Sequence, residues 1–202
     1  MSDEVVDHSK RRFLTAVTTG VGTVGVGFAA TPFVLSMMPS ARAKATGAPV
    51  EVDIGKLEPG QLQTVEWRGK PVWVLRRTPE MLQSLPAVDK QLADPASKVT
   101  DQQPAYAQNP TRSIKPEILV VVGICTHLGC SPIKKLESGY DAILGRDWPG
   151  GFFCSCHGSK FDLAGRVYKN TPAPTNLVVP PHSYLSDARI LIGVDQKKKG
   201  AA

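Results

Sequence analysis

The fold and the chemistry of this chain can be predicted from two stretches, Cys125-Thr126-His127-Leu128-Gly129-Cys130 and Cys154-Ser155-Cys156-His157-Gly158-Ser159. We call them box 1 (125–130) and box 2 (154–159). Together they hold all four cysteines and two of the four histidines of the 202-residue chain. Each box supplies one cysteine and one histidine, and each has a further cysteine to spare. Soft thiolate and imidazole ligands grouped in this way predict a metal or iron-sulfur centre.

Three kinds of site fit this composition. A structural zinc site accepts two cysteines and two histidines, but Cys-x-His is a tighter spacing than zinc fingers use, and zinc leaves two cysteines unexplained. A framework of two disulfides requires both histidines to be present by chance. A [2Fe-2S] cluster with mixed ligands uses four side chains and leaves one pair of cysteines, which should be oxidised in an exported protein.

The boxes closely resemble the motifs C-T-H-L-G-C and C-x-C-H-G-S of Rieske iron-sulfur proteins of quinol-oxidising cytochrome complexes. The resemblance covers nearly the whole chain. It implies that Cys125 and Cys154 bind one iron of a single [2Fe-2S] cluster, and that His127 and His157 bind the other. Two neutral imidazoles in place of two thiolates change the charge of the oxidised cluster from −2 to 0, which raises its potential to a range that a quinol can reduce.

The same resemblance implies roles for other groups in the boxes. Cys130 and Cys156 would form a disulfide that joins the two cluster-binding loops. His157 would contact the quinol and accept its proton, with His127 exposed beside it. Ser159 would donate a hydrogen bond to a bridging sulfide and so stabilise the reduced cluster.

The sequence departs from the family pattern at three places. Phe161 stands where many members have a tyrosine whose hydroxyl bonds a ligand thiolate, which predicts a lower potential than in those members. The segment Thr171-Pro172-Ala173-Pro174 resembles the family's proline loop (171–174), but Thr171 stands where glycine is common. The segment between the boxes, 131–153, is longer than in mitochondrial members; we assign it no chemical role and expect a local surface elaboration, with contact with a partner subunit as the alternative.

The N-terminal region predicts export and membrane anchoring. The pair Arg11-Arg12, followed by Phe13-Leu14, resembles a bacterial twin-arginine export signal. Residues 13–41 carry no charged side chain, and as a helix they exceed the ~30 Å hydrocarbon core of a bilayer. We expect a cytoplasmic N-terminus over 1–12, one uncleaved transmembrane helix over 13–41 and a hinge over 42–49.

From residue 50 onward, short apolar runs alternate with turn residues, which predicts a strand-rich head over 50–196. Thr78-Pro79-Glu80 predicts the start of its one substantial helix, 80–92, and 94–112 is expected to be a loop. We expect a mainly β protein, with an antiparallel β-sandwich head of the Rieske type and a small inserted cluster-binding subdomain over about 122–175. The predicted strands are 50–54, 63–67, 71–76, 117–123, 151–154, 165–168 and 189–194, with a hairpin joining the second and third.

The net charge of +6 does not indicate nucleic-acid binding. Arg42, Lys44 and a basic tail over 197–202 supply most of it, whereas residues 45–196 are nearly neutral and lack a basic stripe. We therefore expect no nucleic-acid partner. His8 and His182 lack ligand spacing and are interpreted as ordinary polar side chains.

The resemblance implies the iron-sulfur subunit of a respiratory cytochrome bc complex in the bacterial inner membrane, with its head in the periplasm. Such a subunit takes one electron from ubiquinol, passes it to a c-type cytochrome and contributes to proton translocation. Its partners would be cytochrome b and the c-type cytochrome, in a dimeric complex, and the isolated chain would be only an electron carrier. The alternative is the small Rieske subunit of a periplasmic oxidase such as arsenite oxidase, which has no quinol site.

Overall fold

The computed structural model describes residues 7–40 and 47–195. Two compact units, Met1–Ala45 and Thr46–Ala202, make up the chain. Most of the predicted hinge and the whole basic tail lie outside the described residues, as does Ala41, the last residue of the predicted anchor.

Helix α1 (His8–Ser36) forms most of the described part of the first unit. The Asp7 carboxylate caps it by accepting the N–H groups of Ser9 and Lys10 at 3.0 and 3.2 Å. The cap places the helix start before the twin arginines, so α1 begins earlier than the apolar segment 13–41. With 29 residues and a mean hydropathy of 1.5 in its apolar window, α1 has the length and composition of a membrane span, which a signal sequence can share.

The second unit is mainly β, as predicted. Its α-helix and strands are, in chain order, β1 (Val50–Asp53), β2 (Leu62–Trp67), β3 (Lys70–Arg76), α2 (Pro79–Ser84), β4 (Ile118–Val122), β5 (Ile133–Lys135), β6 (Gly139–Asp141), β7 (Gly145–Trp148), β8 (Gly151–Cys154), β9 (Ser159–Phe161), β10 (His182–Ser186) and β11 (Arg189–Ile192). Among the described residues, antiparallel pairing gives four sheets, in the orders β1-β11-β10, β2-β3-β4, β5-β8-β9 and β6-β7. The hairpin predicted between 63–67 and 71–76 is confirmed as β2-β3.

Strands β3 and β4 of the β2-β3-β4 sheet are buried on both faces, which explains why they read as continuous apolar runs, whereas β2 is largely exposed. Successive side chains of a strand point to opposite faces. On β3, Val72 and Val74 belong to a core shared with β1 and β11, whereas Trp73 and Leu75 belong to a second core that also contains Cys125 and Cys154. The β2-β3-β4 sheet thus separates two cores. We call the core shared with β1 and β11 the sandwich base, and the other core contains Cys125 and Cys154.

Two of the predicted secondary-structure elements, the helix 80–92 and the strand 165–168, were wrong. The helix predicted over 80–92 is split into α2 and a 3-10 helix, Pro86–Gln91, because proline lacks the N–H that would continue the α-helix. The predicted Thr78 cap is nevertheless present, since its hydroxyl accepts the N–H of Met81 at 3.3 Å. The segment 165–168 is not a strand, and only isolated bridges join Val167 to Phe161 and Tyr168 to Leu92.

Several elements were not predicted. The segment between the boxes contains β5, β6 and β7, where the sequence indicated only a surface elaboration. Strand β10 follows a Pro-Pro pair and was also missed. Two 3-10 helices, Thr100–Gln102 and Ala105–Ala107, interrupt the predicted loop 94–112.

Three buried arginines hold the turn 162–166 that follows β9. Arg77 and Arg112 donate to carbonyls of this turn at 3.1 and 3.3 Å, and Arg166 pairs with the Asp162 carboxylate at 2.8 Å. Burial lowers the pKa of Arg77 and of Arg112 to about 10, so both remain protonated at neutral pH. Because Phe161 immediately precedes this turn, the arginines fix the strand that carries part of box 2.

His182 is buried, contrary to its interpretation as an ordinary polar residue. Its side chain is 1% exposed, and its Nδ1 donates to the Pro180 carbonyl at 2.9 Å. The Tyr106 ring contacts it edge-on with 5.6 Å between centroids, and the Tyr106 hydroxyl accepts the His182 backbone N–H at 2.9 Å. Burial lowers the pKa of His182 below its usual value of 6.5, while the Pro180 carbonyl opposes that shift.

Acid should therefore destabilise the head through His182. The unfolded chain binds a proton as the pH falls through 6.5, whereas the folded His182 does so only at lower pH. The stability that depends on a neutral His182 is fully present above pH 6.5. Below that pH the free energy of unfolding falls by up to about 1.4 kcal/mol per pH unit. We expect His182→Asn, which keeps a donor for Pro180, to flatten this part of the pH profile in denaturant titrations. An unchanged slope would contradict the assignment.

Candidate iron-sulfur centre

Each box is carried by a buried strand. Box 1 follows β4, all of whose residues are buried. Box 2 forms the connection of the β8-β9 hairpin, in which Cys154 ends β8 and pairs with Ser159 at the start of β9. The first cysteine of each box is thereby fixed in the core, with 2% of Cys125 and 1% of Cys154 exposed.

The two boxes share a local turn. In each, the residue four positions after the first cysteine is a glycine whose N–H donates to that cysteine's carbonyl: Gly129 to Cys125 at 3.1 Å and Gly158 to Cys154 at 2.8 Å. Both glycines have positive φ, 85° and 80°, which a side chain would make costly. The shared glycines of the two motifs are thus explained by backbone geometry.

A disulfide joins the boxes. Cys130 of box 1 is bonded to Cys156 of box 2, with 6.7 Å between their Cα atoms. The expected pairing is confirmed, and Cys125 and Cys154 remain free. The sulfur of Cys154 lies within 4.8 Å of both disulfide sulfurs, so the disulfide is adjacent to this free thiol.

The two histidines of the boxes face one another. Their rings lie 4.7 Å apart between centroids and at 87° to each other. His157 is exposed, whereas His127 is half-buried, contrary to the expectation that it is exposed. The Nδ1 atom of His127 is buried, and it has no hydrogen-bond partner among the described residues. A buried, unpartnered imidazole nitrogen beside two free thiols is the arrangement that a bound iron would complete.

Burial raises the pKa of the Cys125 thiol, and the adjacent Cys154 thiol adds to that effect. The backbone N–H of His127 and the Ser159 hydroxyl oppose it, because hydrogen bonds favour the thiolate. Two neighbouring thiolates in this apolar setting therefore require a cation to compensate their charge. A cluster of two irons supplies that cation, so the donor set fits the group.

The proline loop is hydrogen-bonded to box 2, and Thr175, the residue after the loop, is hydrogen-bonded to box 1. The N–H of Ala173 donates to the Ser159 hydroxyl oxygen at 3.0 Å, which leaves the hydroxyl proton free for another acceptor. The hydroxyl of Thr126 donates to the carbonyl of Thr175 at 2.7 Å. Sequence reasoning gave Thr126 no role, because its partner lies 49 positions away and no spacing rule points to it.

The structure thus brings Cys125, His127, Cys154, His157 and Ser159 to one place, as the motifs predict, and it adds Thr126. His182 lies on β10 and is not part of this constellation, and His8 begins α1 in the other unit.

The structure supports a test of the Phe161 departure. Phe161 is fully buried on β9, two residues after Ser159, so a tyrosine there would carry its hydroxyl within the same core. We expect Phe161→Tyr to raise the reduction potential of the cluster. A net hydrogen bond of about 1 kcal/mol corresponds to roughly 40 mV in a one-electron couple. Redox titration of both forms measures this, and a potential that does not rise would contradict the expectation.

Comparisons with known proteins agree with this geometry. A family model described as the ubiquitinol-cytochrome C reductase Fe-S subunit TAT signal matches residues 1–40, and the Rieske [2Fe-2S] domain model matches residues 49–181. The ubiquinol-cytochrome c reductase iron-sulfur subunit of Allochromatium vinosum is 63% identical over 196 residues, 97% of this chain and 94% of that protein. That of Blastochloris viridis is 41% identical over 95% of this chain and 97% of that protein. A chain of a hyperthermophilic respiratory complex III has 25% identity and a TM-score of 0.46 over 86% of this chain and 98% of its own length, a likeness too low to carry an argument.

Proposed function

The chain belongs to the family of ubiquinol-cytochrome c reductase iron-sulfur subunits, and from that premise we propose that its two boxes divide the ligation of one Rieske-type [2Fe-2S] cluster between them. In this proposal Cys125 and Cys154 bind one iron, and His127 and His157 bind the other. The pairing of two buried free thiols with two adjacent rings supports it. The buried Nδ1 of His127 is the single observation that carries it, because that atom otherwise has no partner in the described part of the chain.

When bound, the cluster supplies a one-electron acceptor at a potential that a quinol can reduce. The chain contributes the contact with the quinol. His157 is exposed at the surface of box 2, so its ring can accept a hydrogen bond from a quinol hydroxyl and hold the proton that leaves it. His127 lies beside it and is partly shielded. The Ser159 hydroxyl oxygen accepts the Ala173 N–H, and its proton would be available to a sulfur of the bound cluster, where it would favour the reduced state.

We also propose the surroundings in which this exchange takes place. Helix α1 would anchor the chain in the bacterial inner membrane with the head in the periplasm, and the match of residues 1–40 to a TAT signal supports export. Cytochrome b and a c-type cytochrome would be the partner subunits of a dimeric complex that oxidises ubiquinol. The division of the chain at Ala45 and Thr46 falls within the proposed hinge 42–49, which supports separate domains over 13–41 and 50–196.

Copurification tests the function directly. We expect an affinity-tagged chain, extracted from membranes in mild detergent, to bring cytochrome b and a c-type cytochrome with it and to reduce cytochrome c with added ubiquinol. A matched variant, His157→Ala, should copurify equally but fail to turn over. Recovery of a periplasmic oxidase subunit without cytochrome b would instead establish the alternative function. Both relatives cited above are named as ubiquinol-cytochrome c reductase iron-sulfur subunits, which favours the first outcome.

A further inference from the structure

Within the inserted segment 131–153, Trp148 is buried in a small core shared with residues from outside the segment. Trp148, at the end of β7, is 5% exposed. Its indole N–H donates to the Lys135 carbonyl at 2.8 Å, which closes the insertion on itself. Its ring lies against that of Tyr168, with 5.9 Å between centroids. Val88, Leu92 and Leu144 complete this small core. The insertion is therefore not confined to the surface.

Tyr168 connects this core to the proline loop. Its backbone N–H donates to the Lys160 carbonyl at 3.1 Å, and its carbonyl accepts the Thr171 hydroxyl at 2.9 Å. Tyr168 is 6% exposed, and Trp148 covers one side of its ring. Asn170 has a φ of 56°, so the chain turns sharply between Tyr168 and Thr171. The position of the loop thus depends on where Tyr168 is held.

The departure at position 171 has a structural use. A glycine at this position has no side chain and could not make the hydrogen bond to the Tyr168 carbonyl. Two residues further on, Ala173 makes the hydrogen bond to Ser159. Trp148 is therefore linked to Ser159 by its contact with the Tyr168 ring, the hydrogen bond from Thr171 to Tyr168, the chain segment 171–173 and the hydrogen bond from Ala173 to Ser159.

We propose that Trp148 is a positioning residue for the iron-sulfur centre: it supports Tyr168, which holds Thr171 and so keeps the proline loop in place over Ser159. The proposal rests on the proposed function, since it assigns Ser159 a hydrogen bond to the cluster. The N–H of Ala173 fixes the rotation of the Ser159 hydroxyl, so a displaced loop weakens the bond that stabilises the reduced state. The insertion and the threonine at 171 act together in this account.

A purely structural role for Trp148 is the competing explanation, because removing a buried indole also leaves a cavity. The two explanations differ in the property that changes. A cavity lowers the stability of the head and leaves the potential of the assembled cluster where it was. A positioning role moves the potential in clusters that are fully assembled.

The test is a redox titration of the complete complex in membranes, followed by electron paramagnetic resonance of the reduced cluster. We expect Trp148→Ala to make reduction about threefold less favourable, which at 59 mV per tenfold change is about 28 mV downward. Thr171→Val, which removes only the hydroxyl, should lower the potential in the same direction. The double variant should show less than the sum of the two shifts. Trp148→Phe keeps a ring on Tyr168 and should restore most of the potential.

The matched control is Ile143→Ala, which alters the same insertion at a side chain that is 63% exposed and should leave the potential unchanged. An unchanged potential in Trp148→Ala with a normal cluster signal would overturn the proposal. If Trp148→Ala does not assemble, Thr171→Val decides, since an unchanged potential there overturns it equally. Failure of the proposed function is recognised separately, because the unsubstituted protein would then give no Rieske signal.

Discussion

Replacing Cys125 by serine will leave membranes without a Rieske signal and with only background ubiquinol-cytochrome c reductase activity. Cys125 is a free thiol that is 2% exposed, and it is in direct contact with the Cys154 thiol in the protein core. A serine hydroxyl is not deprotonated there and is a much harder ligand than a thiolate, so one iron loses a proposed ligand. Electron paramagnetic resonance, iron content and turnover, measured on the same membranes, test this.

The matched control for Cys125→Ser is Cys130→Ser in the same box. That change removes the disulfide to Cys156 but neither of the proposed cysteine ligands. We expect a cluster with the Rieske signal that is lost more readily on storage or heating, because the two boxes are no longer covalently joined. A stable cluster in Cys125→Ser together with none in Cys130→Ser would reverse the assignment of ligands and disulfide.

Replacing Arg166 by glutamine will destabilise the head by about 3–5 kcal/mol, the range for removal of one partner from a buried ion pair. Arg166 is 1% exposed, and its guanidinium contacts Asp162 at 2.8 Å, Asp89 at 2.8 Å and the Leu85 carbonyl at 2.9 Å. Asp162 is equally buried, so its carboxylate loses the cation that compensates it. Denaturant titration of the detergent-solubilised chain, followed by near-ultraviolet circular dichroism, measures the loss.

A surface pair provides the control for Arg166→Gln. Arg189 contacts Glu51 at 2.9 Å, with 61% and 47% of the two side chains exposed. Solvent screens such a pair, so Arg189→Gln should cost less than about 1 kcal/mol. Equal losses in the two variants would contradict the idea that burial gives the Arg166 pair its importance.

The cluster site could be predicted from the sequence because the residues of each box lie close together along the chain. The cysteines, histidines and glycines of box 1 and box 2 occupy fixed offsets within six residues, and the structure places them as those offsets indicate. Strands β4 and β8 were predictable for the same reason, since a continuous apolar run bounded by glycine is itself a local signal. Gly129 and Gly158 are explained by their positive φ, a backbone conformation that favours glycine and depends on no distant residue.

The remaining features depend on partners far away along the chain. Arginine is an exposed residue type in most proteins, and nothing near Arg112 shows that its guanidinium reaches carbonyls 52 and 53 positions later. His182 looks like a turn residue until Tyr106, 76 positions earlier, covers it. Strands β5, β6 and β7 of the insertion are three or four residues long and show little alternation of polar and apolar side chains. Hydrophobic periodicity therefore could not identify them.

The central claim is that the two boxes hold a mixed-ligand [2Fe-2S] cluster that meets a quinol. Low-temperature electron paramagnetic resonance on ascorbate-reduced membranes that contain this chain, with and without a quinol-site inhibitor, tests it most directly. We predict a Rieske signal whose average g value is lower than that of clusters with four cysteine ligands, and whose line shape changes with the inhibitor. Absence of the signal, with zinc found instead of iron by metal analysis, would contradict the account.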